Sequence, residues 1–255
     1  MSPKVLERLD HEGRLLRLTL NAPPGNVLDA EMMDALLDAL ERHKLEPGLK
    51  GILFDGAGGQ FSYGASVPEH APDQVAGMLG RFHELIRTVF SVEVPTLAAV
   101  RGQCLGGGLE LAACCSFLFA APKSHFGQPE IRLGVFAPAA SVLLPWRLGG
   151  ARALDLCVSG RSVNAQEALQ MGLVHRIDED PEHAAETFFL DTLAPRSGAS
   201  LRLAERAVRM GFQPVLDAQL AAVEKLYLNE LMETEDAVEG ITAFLEKRPP
   251  RWNDR

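Results

Sequence analysis

The stretch that most constrains this chain runs from Gly102 to Glu130, GQCLGGGLELAACCSFLFAAPKSHFGQPE, where Glu110 is the only charged residue between Arg101 and Lys123. Glu110 follows Gly106, Gly107 and Gly108 and stands in an apolar run, Leu109 to Cys115, long enough for two to three helical turns. A carboxylate there is drawn into apolar surroundings, and burying it without partners is costly or forces it to keep its proton. Glu130 follows twenty residues later, after Gly127, Gln128 and Pro129. Glycines ahead of a helix let a ligand approach the backbone, and the first-turn amides lack partners inside the helix. A carbonyl oxygen held against them would be polarised, and an enolate formed from it stabilised. The stretch can therefore supply an oxyanion site and two carboxylates. By residue type alone, the glycines could equally serve close helix–strand packing and Glu110 could lie on a solvated edge.

Two other glycine-rich readings fit poorly. A dinucleotide fingerprint wants Gly or Ala where Leu111 stands, with an acidic residue at ribose distance. A phosphate-binding loop wants Gly-Lys-Ser/Thr after the glycines, which this chain lacks. A net charge of −9 argues against nucleic acid as the main partner. The charged opening MSPKVLERLDHEG has no apolar signal core, and the run at 102–122 is interrupted by Gln103, three glycines and Glu110. A soluble, cytoplasmic protein with no membrane partner is expected. Cys104, Cys114, Cys115 and Cys157 show no CxxC spacing and read as buried free thiols, and the seven histidines form no ligand-like grouping, so no metal site is expected.

In chain order, Val5 to Leu9 and Leu15 to Leu20 read as a hairpin turning at Gly13. Asp29 can cap a helix from Ala30 to about Lys44, and Ile52 to Phe54 reads as a strand closed by a glycine turn. Phe61 to Glu69, FSYGASVPE, has no period and follows that strand; by residue type it reads first as an ordinary surface loop, and it could present the amides of Ala65 and Ser66 to a ligand. Asp73 to Val92 predicts a helix, Thr96 to Val100 a buried strand, and Phe117 to Ala121 another, giving an α/β alternation with a largely parallel sheet. Asn164 can cap Ala165 to Met171, Gly172 ends that helix, and Val174 to Ile177 reads as a strand. Residues 147–246 read mostly as amphipathic helices, with Ala199 to Met210, Pro214 to Asn229 and Thr234 to Lys247 the clearest, so a core over 1–195 and a helical region over 196–255 are expected.

Six segments, in this order and spacing, resemble the crotonase, or enoyl-CoA hydratase/isomerase, superfamily over almost the whole chain: NAPPGNVLDAEM, FSYGAS, AAVRGQCLGGGLELAACC, FGQPEIRLGV, SGRSVNAQEALQMGLV and FLEKR. The resemblance implies a ClpP/crotonase-like spiral of ββα units, two roughly perpendicular sheets and a helical C-terminal region that builds homotrimers, usually paired as hexamers. It implies an acyl-CoA thioester substrate, with coenzyme A part of the substrate rather than a cofactor. By position, Ala65 and Gly107 match the oxyanion-hole amides and Glu110 and Glu130 the two catalytic glutamates of the hydratases. Tyr63 and Ala65 match the adenine-binding loop, and Lys247 matches a lysine that reaches CoA phosphate.

Two departures concern the substrate. Ser66 stands where ordinary enoyl-CoA hydratases carry Asp, and Ala137, Pro138, Ala139, Ala140 and Ser141 stand where they carry Pro-Gly-Ala-Gly-Gly. The family glycine donates an N–H near the catalytic water, and Pro138 has none. FSYGASVPEH together with VFAPAAS is most similar to the cyclohexa-1,5-diene-1-carbonyl-CoA hydratases of anaerobic aromatic-acid degradation, which form 6-hydroxycyclohex-1-ene-1-carbonyl-CoA. Ser66, Val67, Phe136 and Pro138 are the expected acyl-pocket residues. A straight-chain enoyl-CoA hydratase, an enoyl-CoA isomerase and, more remotely, a non-catalytic CoA- or RNA-binding scaffold are the alternatives.

Overall fold

The structure is a computed structural model and describes residues 2–255. The N-terminal hairpin forms as expected: β1 (Val5–Asp10) pairs antiparallel with β2 (Leu15–Leu20), Val5 opposite Leu20. Asp29 caps α1 (Ala30–His43), accepting the Met32 N–H at 2.9 Å, and Met32, Met33, Leu36, Ala39 and Leu40 make its buried stripe. β3 (Gly51–Gly56) returns parallel to β2, and α2 (Val75–Ser91) leads to β4 (Thr96–Val100), parallel to β3. Side chains alternate across this sheet. Ile52 and Phe54 enter the main core on one face, while Leu53 joins Leu15, Leu97, Phe119 and Phe189 on the other.

At Gly102, whose φ is +57°, the chain turns out of this sheet. Three-residue β5 (Gln103–Leu105) starts a second sheet, α3 (Gly107–Cys114) follows, and β6 (Phe117–Ala120) returns to pair parallel with β4. The same step recurs: β7 (His125–Gly127) pairs with β5, a 3-10 turn spans 129–133, and α4 (Pro138–Leu148) and α5 (Gly150–Ser159) follow. β8 (Ser162–Asn164) completes the small sheet. Asn164 caps α6 (Ala165–Met171), and β9 (Arg176–Ile177) closes the large sheet. The result is a six-stranded sheet ordered β1-β2-β3-β4-β6-β9 and a three-stranded sheet ordered β5-β7-β8, built by repeated strand–strand–helix turns.

The resemblance implied a second sheet, but its strands could not be read from the residues themselves, because three-residue strands carry no hydrophobic period. For the same reason α3 begins at Gly107, two residues earlier than the apolar run suggested: glycine adds no side chain to the pattern.

Four helices follow: α7 (Pro181–Phe188), α8 (Gly198–Arg209), α9 (Gln213–Asn229) and α10 (Glu235–Leu245). They fold back on the same chain. α9 packs on α2 and α4 and contributes Leu216, Leu220 and Tyr227 to the main core, while α10 packs on the 3-10 turns at 67–70 and 129–133. Arg209, at the end of α8, anchors this return. Its guanidinium pairs with Glu205 at 2.7 Å and donates to the carbonyls of Phe90 (2.7 Å) and Cys114 (3.1 Å), closing the C-terminal ends of α2 and α3. No helix among the described residues is long and apolar enough to cross a membrane.

Candidate active site

The site assembles where the small sheet delivers the chain into α3 and the 129–133 turn. Ser62 bridges to Cys104 of β5 and Ala65 bridges to Leu28, which brings the loop after β3 against the start of α3. Three glycines allow this approach. A Cβ on Gly64 (φ +104°) would lie 2.9 Å from the Leu105 carbonyl, one on Gly108 would lie 2.7 Å from the Ser62 Cβ, and one on Gly106 (φ +50°) would strike Glu130 Oε1.

The amides of Ala65 and Gly107 lie close together. The Cβ position of Gly107 lies 3.1 Å from the Ala65 nitrogen. Among the described residues neither N–H has an acceptor: neighbouring Leu28 and Ser66 bond each other's strands, and Gly106 N–H goes to the Gly127 carbonyl, leaving 65 and 107 free. Gly107 is also the first residue of α3, at the positive end of its dipole. Two neighbouring free amides at a helix N-terminus suit a developing oxyanion.

Glu110 and Glu130 come together beside them. Glu110 is 3% exposed, so its setting is deeper than a solvated helix edge. Its Oε1 accepts the Ala140 N–H at 2.5 Å from the first turn of α4. Burial pushes its pKa up to about 7, opposed by the amides of Ala140 and Ala139. Glu130 is half-buried; burial first and then the charge on Glu110 push its pKa up to about 8. The charge on Glu110 thus disfavours ionisation of Glu130, so near neutral pH Glu130 is the carboxyl that more readily keeps its proton.

Gln128, which sequence reasoning passed over, is fully buried beside Glu130. With its amide nitrogen facing the acid, it donates to the two Glu130 oxygens at 3.2 and 3.0 Å. The signal was present: a glutamine at the end of a buried strand, two residues before a carboxylate.

The remaining expected residues surround this centre. Ser66 lies between Ala65 and the 67–70 turn, its carbonyl accepting from His70 Nδ1 at 2.9 Å. Val67 and Phe136 pack partly buried against the core, and Pro138 is buried as the first residue of α4, a position where its missing N–H costs the helix nothing. The exposed Tyr63 ring lies over Gly25, and its N–H donates to the Gly25 carbonyl at 2.8 Å. Lys247 stands exposed just beyond α10 and forms no ion pair among the described residues. The structure joins it to the Tyr63 loop by no hydrogen bond. All four cysteines are free thiols, and Cys157 is less buried than expected.

These features coincide with what the chain is similar to. The family described as enoyl-CoA hydratase/isomerase matches residues 10–255. Cyclohexa-1,5-dienecarbonyl-CoA hydratase of Thauera aromatica is 53% identical over 247 residues, covering 97% of this chain and 96% of that protein. Carnitinyl-CoA dehydratase of Proteus mirabilis is 30% identical, covering 97% and 98%. Among solved structures, an enoyl-CoA hydratase from Mycobacterium avium subsp. paratuberculosis superposes with a TM-score of 0.86 at 25% identity, covering 98% of this chain and 99% of that one. An enoyl-CoA hydratase/isomerase from Pseudoalteromonas atlantica superposes with a TM-score of 0.84 at 29% identity, covering the same shares. With the spiral of two sheets, the paired glutamates and the near-complete match in hand, the chain belongs to the enoyl-CoA hydratase/isomerase family.

Proposed function

We propose that this protein is a hydro-lyase that adds water to cyclohexa-1,5-diene-1-carbonyl-CoA, forming 6-hydroxycyclohex-1-ene-1-carbonyl-CoA, a step of anaerobic aromatic-acid degradation. The observation that carries the hydratase reading is the placement of two upward-shifted carboxylates beside two acceptor-free amides. The ring substrate rests on the 53% identity to the Thauera enzyme of that name.

The chemistry follows from those groups. One carboxylate of the Glu110–Glu130 pair takes a proton from water as the water oxygen bonds to the carbon β to the thioester. The electron pair moves onto the thioester oxygen, held by the amides of Ala65 and Gly107. Because the second double bond of the ring is attached at the α carbon, the charge extends over a dienolate. The other carboxyl delivers its proton to the far end of that dienolate, so the remaining double bond stays conjugated with the thioester. One water enters, and the balance requires no redox equivalent. Tyr63 and the backbone at Ala65 would hold the adenine, Lys247 a CoA phosphate, and Ser66, Val67, Phe136 and Pro138 the acyl group.

Two broader features belong to the same reading. α8 turns Leu203 and Val208 to solvent, with Met210 just beyond its end, an exposed apolar face that supports self-association, as a trimer or a pair of trimers. Four free thiols suit a reducing compartment, the cytoplasm.

The test compares cyclohexa-1,5-diene-1-carbonyl-CoA with crotonyl-CoA, each followed by the mass gain of one water. The expected result is strong preference for the cyclic diene, with one non-exchanging deuterium incorporated in D2O. Preference for crotonyl-CoA would leave the two-glutamate mechanism and overturn the ring assignment; no water added to either would overturn the hydratase reading.

A further inference from the structure

Tyr227 is fully buried, and its hydroxyl has no hydrogen-bond partner among the described residues. Such a group is destabilising unless a bound molecule satisfies it, because an unpaired buried hydroxyl forfeits its hydration. Its position shows what that could be. The ring packs edge-on against Phe136, with centroids 5.2 Å apart, and Phe136 belongs to the segment leading from Glu130 into α4. α9 holds the ring there: Leu216 and Leu220 are buried on the same helix, and Glu224, one turn before Tyr227, accepts a hydrogen bond from buried His83 Nδ1 of α2 at 2.6 Å. The Tyr227 hydroxyl titrates upward through burial and then through the charges on Glu130 and Glu110, so both carboxylates act on it.

Apart from the Ala65 and Gly107 amides, which serve the thioester oxygen in the proposed reaction, the other donors around the glutamates are already engaged. Pro138 has no N–H. The amides of Ala139 and Ala140 serve Glu110, and both the N–H and the hydroxyl of Ser141 donate to the Ala137 carbonyl. Gln128 serves Glu130. Cys157, the other group on which both carboxylates act, offers only a weak S–H donor. The Tyr227 O–H is the strong donor left over.

We infer that the Tyr227 hydroxyl binds the oxygen that adds to the substrate, donating a hydrogen bond to the incoming water and then to the hydroxyl of the product. The tyrosine keeps its proton throughout: the water proton goes to a carboxylate and the new bond is carbon–oxygen, so Tyr227 orients the nucleophile without titrating. This inference rests on the proposed hydratase reading and adds to it a residue from the C-terminal helices, where no sequence motif pointed.

The test is Tyr227→Phe, which retains the ring against Phe136. Affinity is measured by calorimetry for two ligands, 6-hydroxycyclohex-1-ene-1-carbonyl-CoA and its deoxy counterpart cyclohex-1-ene-1-carbonyl-CoA, together with kcat and the thermal midpoint. The variant should bind the hydroxylated ligand about tenfold more weakly, bind the deoxy ligand as the parent does, and lose about tenfold or more in kcat, with a midpoint at or above that of the parent. Equal weakening of both ligands would reduce Tyr227 to packing, and unchanged affinity and kcat would remove it from the site; either overturns the inference. If the parent itself hydrates neither thioester, it is the function that fails, which separates the two claims.

Discussion

Glu110 and Glu130 illustrate how a residue's surroundings decide its chemistry. A carboxylate in water is ionised at neutral pH, but burial raises Glu110 to about 7, and burial together with the charge on Glu110 raises Glu130 to about 8. The sign of the stability effect follows. Between the unfolded carboxylate value, roughly 4.3, and these folded values the native state binds more protons than the unfolded chain, so stability falls as pH rises through that window and levels off above about 8. Glu130→Gln removes part of that slope. The variant should match the parent near pH 4 and exceed it in thermal midpoint at pH 8 to 9, while losing at least about 100-fold in turnover. Thermal melts across pH, paired with the water-addition assay, check both halves. An unchanged melting profile would mean that Glu130 is not held protonated by the fold.

Among the elements, α8 is tied to the ends of α2 and α3 through Arg209. Its guanidinium is 6% exposed as part of the residue, pairs with Glu205, and reaches the carbonyl ends of two helices that share no sequence neighbourhood with α8. Arg209→Ala leaves those carbonyls without their side-chain donor and Glu205 with only the Ser116 hydroxyl, and a loss of about 3–5 kcal/mol is expected from breaking such a buried pair. Urea unfolding gives the number, and a loss below about 1 kcal/mol would show that water replaces the arginine easily. The elements also show where sequence reading ran out. α1, α2, α6 and β4 were legible because each carries a cap or a hydrophobic period several residues long. β5, β7 and β8 were not, since three residues cannot display a period and their partners lie up to some forty positions away along the chain.

For the whole molecule, the division into a core over 1–195 and a helical region over 196–255 describes composition, whereas packing joins the two. Leu216, Leu220, Tyr227, Ala237 and Ile241 lie in the same apolar cluster as Leu36, Phe82 and Leu109. A chain ending at residue 195 uncovers that cluster and is expected to lack a cooperative unfolding transition by calorimetry; a sharp transition would establish the first 195 residues as an independent folding unit. By itself the sequence determined the chemistry-bearing residues and the family: an isolated glutamate after three glycines, a second glutamate twenty residues on, and six motifs in order are local facts that survive without coordinates. The tertiary structure alone decided their environment. That Ala140 caps Glu110, that Gln128 faces Glu130, that the free amides of Ala65 and Gly107 lie close together and that Tyr227 arrives from almost a hundred residues away with an unpaired hydroxyl all depend on which segments the two sheets bring into contact. The physical reason is that pKa and hydrogen-bond satisfaction are set by neighbours in space, through desolvation and short-range contact, and one-dimensional order carries no record of them.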